Sequence, residues 1–205
     1  VKRLPIDKKY GIGLFDLALL PLIDGYAVDL YAWDAQHFPI VWRNMNQKSL
    51  QAVLKKSRPK KGSWRNALRD AYKHGARFFP HPITVDEIKK RLKGGQQLIL
   101  YIDSAVLYKH ANGVWGHYVV LQKISSRTWT IFDPHWKYGG LKKYPKDLIL
   151  FAFYSVGGYC MFIYPKKRDH LKQQTSPVIV RHTLLGRGGS TYFAGANNSE
   201  KFKHL

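Results

Sequence analysis

The chain has 205 residues, 45% of them hydrophobic, which is enough for one domain with a sizeable core and a tail. Its one cysteine, Cys160, excludes an internal disulfide framework and any cysteine-clustered zinc site. Lysine and arginine number 34 against 13 acidic residues, and the formal net charge of +21 implies an anionic partner: RNA, DNA or an acidic membrane surface. No apolar run has the length of a membrane span, because "GLFDLALLPLI" is short and is broken by Asp16 and Pro21. A soluble, intracellular protein is expected, with no organelle specified. The opening "VKRLPIDKKY" starts on Val1 and has no apolar signal core after it, which suits a processed end, a cut fragment or an unusual start codon.

In chain order, "GIGLFDLALLPLIDGY" predicts a short, mostly buried helix that Pro21 bends or limits and that stops near Asp24 and Gly25. "YAVDLYAW" alternates, with Ala27 and Asp29 opposite Val28 and Leu30, and predicts a strand. Residues 48 to 77 carry a helical pattern interrupted by the charged breaker "SRPKKGS". "ITVDEIKKRLKGG" is the clearest helix, with a capping box from Thr84 to Glu87 and a glycine stop at Gly94 and Gly95. The runs "QLILYID", "HYVVLQKI" and "TWTIFDP" predict three strands, and "YCMFIYP" a last one. Helices first and an antiparallel sheet later make the fold class α+β. From Pro165 the composition turns polar and basic, with one short strand candidate at Val178 to Val180, so residues 166–205 are expected to form an extension of the 1–165 domain. No internal repeat is present.

Between Arg43 and Arg77 the cations include Lys55, Lys56, Arg58, Lys60, Lys61, Arg65 and Arg69, opposed by the single acid Asp70. Trp42, Trp64 and Tyr72 are interleaved with them. A solvated helix face normally mixes signs, whereas one-sided charge with aromatics suits phosphate contacts and base stacking. The segment, with Trp64, and the tail cations Lys166, Lys167 and Arg168 are therefore the candidate nucleic-acid-binding residues, RNA being favoured over other polyanions. His110, His117 and His135 match no zinc spacing, and the glycines of "LLGRGGS" follow no strand; neither a metal nor another cofactor is expected.

"GHYVVLQKISSRTWTIFDP" puts His117 at the start of one alternating run and Asp133 at the end of the next. When two such strands pair, a carboxylate can orient an imidazole to serve as a base. This stretch, with "TVDEIKKRLKGGQQLILYID" before it, resembles the C39-like branch of papain-fold cysteine peptidases over roughly residues 10 to 165. The resemblance implies a papain-like fold in which His117 is the general base and Asp133 its orienting partner, flanked by Gly116 and Pro134. It also likens Gly11-Ile12-Gly13-Leu14 to a Gly-Cys-Gly-Pro helix start, so that Ile12 stands where the thiol would be, and no glutamine precedes it to donate to an oxyanion. Cys160, in an alternating apolar run, is expected to be a core residue. The expectation is a non-catalytic member of this branch, His117 and Asp133 being a relic pair, that serves as a basic structural subunit among protein neighbours in an RNA-containing or other polyanionic assembly. The alternative is a cysteine peptidase whose nucleophile lies upstream of Val1 or on another chain.

Overall fold

The computed structural model describes residues 12–34, 37–57, 63–108, 116–135 and 139–166. The extension from Lys167 onward, including the strand expected at Val178 to Val180, lies outside the described residues.

The first apolar segment forms two short helices, α1 (Leu14–Leu17) and α2 (Leu19–Ile23), where one was expected. Pro21 accounts for the break at Ala18: it has no N–H for the Leu17 carbonyl, and its ring crowds that same carbonyl. Gly25, at φ 87°, then turns the chain into strand β1 (Tyr26–Tyr31). A 3₁₀ turn over Ile40–Asn44 leads to α3 (Gln47–Lys56), whose first turn is capped by Asn46 accepting from the Ser49 N–H at 2.9 Å.

Helix α4 (Trp64–Lys73) begins at the Ser63 cap. The helical pattern expected to run to Arg77 ends earlier, and Arg77–Phe79 is strand β2, which pairs in parallel with β1. Helix α5 (Val85–Lys93) carries the expected cap, Thr84 Oγ1 accepting from the Glu87 N–H at 3.2 Å. There follow β3 (Gln97–Asp103), α6 (Ser104–Tyr108), β4 (Gly116–Ile124), β5 (Thr128–Asp133), β6 (Gly140–Pro145), α7 (Lys146–Tyr154) and β7 (Cys160–Pro165).

The strands make one seven-stranded mixed sheet in the order β2-β1-β7-β3-β4-β5-β6. The α+β class holds, but the division into leading helices and a trailing antiparallel sheet is corrected. Strand β1 precedes α3, α4 and α5, its partner β2 is parallel to it, and β7 lies between β1 and β3. The run Cys160 to Ile163 is buried at every position, as a strand covered on both faces must be.

Helices cover both faces of the sheet. On one, Val28, Leu30, Met161 and Ile163 pack with Leu14 and Phe15 of α1, Leu50 and Leu54 of α3 and Leu68 of α4. On the other, Leu98, Leu100, Ile102, Val119, Leu121 and Trp129 pack with Ile88 of α5 and Ile149 and Phe153 of α7. No helix among the described residues is long and apolar enough to cross a membrane.

Candidate functional site

Strands β4 and β5 are antiparallel neighbours, with Val120 opposite Phe132 and Leu121 opposite Ile131. His117 and Asp133 stand on one face at the same end of this pair, and His117 Nε2 lies 2.7 Å from Asp133 Oδ1. An ionised carboxylate only accepts, so Nε2 is the protonated nitrogen and donates. Nδ1 has no hydrogen-bond partner among the described residues. The imidazole is 24% exposed and the carboxylate fully buried.

Asp133 Oδ1 also accepts the His135 backbone N–H at 2.7 Å, while Oδ2 is buried without a partner. Burial pushes the His117 imidazole down to about 4, and the neighbouring His135, its ring 6.1 Å away and edge-on, acts in the same direction. Burial likewise pushes the Asp133 carboxyl above its ordinary range, against the opposing pull of the His135 N–H and Lys142. At neutral pH the site therefore presents a neutral imidazole held at Nε2 by Asp133.

Two glycines shape this end of the sheet. A Cβ on Gly116 would fall 1.5 Å from the Tyr101 hydroxyl oxygen and 1.9 Å from its Cζ, so the residue before His117 is bare because a ring occupies that space. A Cβ on Gly139 would lie 2.0 Å from the His135 carbonyl oxygen and 2.6 Å from that of Asp133. The return into β6 thus closes tightly over the backbone that carries Asp133.

His117 is opposite Ile102 on β3 and alternates with Tyr118, so it shares the face of Ile102 and Val119, whereas Tyr118 packs on the side of α1. Leu14 and Phe15 of α1 pack on that opposite face, with Tyr118.

Cys160 is excluded as a partner. It is fully buried, burial pushes its thiol well above the ordinary range, and it lies opposite Leu100 on β3. Two strand spacings and two residues along the strand separate it from His117 by about 12 Å between Cα atoms. The chain has no other thiol. Among the described residues no group of three or more His, Cys, Asp and Glu could hold a metal ion.

The basic candidates are spread over three elements. Lys55 and Lys56 are exposed at the end of α3, Arg65 and Arg69 lie on α4, and Lys166 follows β7. Arg58, Lys60, Lys61, Lys167 and Arg168 lie outside the described residues.

The interleaved aromatics face the other way. Trp42 and Tyr72 are buried, and the half-buried Trp64 ring meets Phe38 at 4.9 Å, Phe15 at 6.3 Å and Trp42 at 6.4 Å, with the Arg65 guanidinium over it. Trp64→Ala is accordingly expected to lower stability by about 3 kcal/mol in urea unfolding, the low end for a buried tryptophan because part of the ring is wet.

Sequence reasoning missed a second histidine–carboxylate pair. His37 Nδ1 lies 2.5 Å from Asp34 Oδ2, 49% and 28% exposed, beside Trp64. Its only signal was an Asp and a His three residues apart. Comparison with protein-family models, with curated proteins and with solved structures finds no match.

Proposed function

We infer that the chain carries the histidine–carboxylate half of a cysteine-peptidase centre of papain-like fold, the thiol being contributed from outside these 205 residues, by further chain or by a partner. The supporting observation is the pair itself, His117 Nε2 held by Asp133 at 2.7 Å. Ile12 brings no thiol and Cys160 is buried, so the reading needs a thiol from elsewhere.

In this reading a thiol approaching the face of Ile102 gives its proton to Nδ1, and the thiolate attacks a peptide carbonyl. The imidazolium that forms is stabilised by Asp133 and returns the proton to the leaving amine. Water, deprotonated by the same nitrogen, then releases the acyl group.

The test compares this chain with the product of the full reading frame and with complexes isolated from the native source. This chain alone is expected to be inactive on fluorogenic peptides, and its His117 to stay neutral in the Nε2–H tautomer down to about pH 4 by nitrogen-15 NMR. The thiol-bearing form is expected to be labelled by a thiol-directed electrophile, and His117→Ala to lower its kcat/KM by about 10²- to 10⁴-fold. A thiol-dependent activity indifferent to His117→Ala, or no thiol besides Cys160 in either the full product or its complexes, would sink the reading.

A further inference from the structure

Helices α3 and α4 pack against each other and leave an open cleft of about 320 Å³. Gln51, Leu54 and Lys55 line it from α3, and Arg69, Tyr72 and Lys73 from α4. Three of the six are cations, and none is a carboxylate. Lys73 is paired with Asp70 at 2.9 Å, outside the lining, but Lys55 is exposed and makes no ion pair among the described residues.

Arg69 is the informative residue. Its Nη2 donates to Asn66 Oδ1 at 2.5 Å, yet its Nε–H is buried and meets no acceptor. A guanidinium donor withdrawn from water without an acceptor is costly, and the geometry asks for an oxygen supplied from outside. The floor is apolar, made by Leu54 and by the Tyr72 ring, whose hydroxyl is already tied to Gln47 at 2.9 Å.

The cations also continue past the cleft. Arg65, Arg69 and Lys73 are four residues apart, one above another on a flank of α4 at intervals of about 6 Å. Beyond the end of α4, Lys166 Nζ comes within 3.9 Å of where a Cβ on Gly75 would lie, so a further cation stands at that end of the helix. Such an interval is on the scale of consecutive phosphates in an extended strand. Acidic side chains of a peptide have no fixed spacing to match it, and a single small anion would not need the row. Nearby aromatics, Trp42, Trp64 and Tyr72, are used in the core and offer no stacking platform.

We propose that this cleft and the row of cations leading from it seat the phosphate backbone of a nucleic-acid strand, holding it without reading its bases. Arg69 and Lys55 grip one phosphate in the cleft, and Arg65, Lys73 and Lys166 follow the strand outward.

The experiment is fluorescence anisotropy of a labelled twelve-nucleotide oligouridylate with the full chain over a range of salt. Arg69→Gln and Lys55→Gln are each expected to weaken binding about tenfold and to flatten the log–log salt slope by about one. Arg69→Lys, which keeps the charge and loses the fork, should weaken it about tenfold with the slope unchanged. Lys93→Gln on α5 and Lys123→Gln on β4 remove exposed charges elsewhere and should change affinity less than about twofold, since salt screens charges that far off. An oligocytidylate of equal length should bind equally well.

Equal losses from Lys93→Gln would reduce the effect to net charge and overturn the proposal. Competition by polyglutamate as effective as by unlabelled RNA would reassign the surface to an acidic protein, and competition by inorganic phosphate at equal phosphate concentration would make it a small-anion site. Lys55 is exposed, so Lys55→Gln decides the matter should an Arg69 variant melt early; unchanged binding in Lys55→Gln overturns the proposal.

Discussion

Asp29→Ala is expected to destabilise the fold by about 3 to 5 kcal/mol, the range for removing one partner of a buried ionic group. Asp29 is fully buried on β1, and three side chains converge on it. Arg77 from β2 binds it through two nitrogens, Nε to Oδ1 at 2.7 Å and Nη2 to Oδ2 at 2.5 Å. Arg91 from α5 donates to Oδ2 at 2.6 Å, and the Tyr164 hydroxyl of β7 to Oδ1 at 3.0 Å.

Arg91 is only 11% exposed and is held further by Glu87, Gln96 and Tyr31, with its guanidinium 4.7 Å from the Phe162 ring centre. Losing Asp29 would leave this cation in the interior against apolar rings. Arg77, about half exposed, can turn to water and adds less. Arg91→Met in the Asp29→Ala background should recover part of the loss, because an apolar side chain replaces a mostly buried cation that has lost one of its two carboxylates.

Acid should report the same group. Burial alone would raise the Asp29 carboxyl, but the two guanidiniums outweigh it and hold it below the usual value of 3.8. Its folded value lies under its unfolded one, so its contribution is complete above about pH 4 and fades as pH falls through the lower, folded value. Urea midpoints between pH 7 and pH 2 should drop in this window for the native protein and be flatter in Asp29→Ala.

Phe38→Ala is expected to cost about 3 to 5 kcal/mol, for a cavity instead of a charge. Phe38 is 2% exposed at the centre of five aromatic rings: Trp64 at 4.9 Å, Phe78 at 5.2 Å, Trp42 at 6.2 Å, Tyr159 at 6.4 Å and Phe15 at 6.5 Å. These rings belong to α1, α4, β2, the 3₁₀ turn and the approach to β7. Large rigid neighbours fill a void poorly, so little of the cost should be relieved by collapse. Phe38→Leu should cost less than about 1.5 kcal/mol if it is volume that matters. Urea unfolding with an unchanged slope would assign both effects to the folded state.

The site was legible because it is local. His117 and Asp133 sit on consecutive strands joined by a short turn, so pairing alone brings them together, and the alternation of both strands is visible in the sequence. Helix α5 was legible for the same reason, since its cap and stop lie within its own residues.

What escaped depends on distant parts of the chain. "RFF" becomes β2 only by lying beside β1, 48 residues from Arg77 back to Asp29. "KDLILFAFY" is apolar nearly all round, which hides the helical period of α7, and "GLKKYP" is too polar to announce the edge strand β6. The aromatics among the basic residues misled because a helix shows charge on one face and core on the other, and a linear reading merges the two. The face on which α1 packs has no local signature at all.

The central position of β7 bears on how the protein is made. Before Cys160 to Pro165 leave the ribosome, β1 with β2 and β3 with β4, β5 and β6 can form only as two separate patches, each with a raw, apolar edge where the missing strand belongs. Those edges are sticky until the last described strand arrives to weld them. Assembly must therefore wait for nearly the whole of the described chain, with its most distant pairings made last, a course that favours slow folding and makes the nascent protein a client for chaperones.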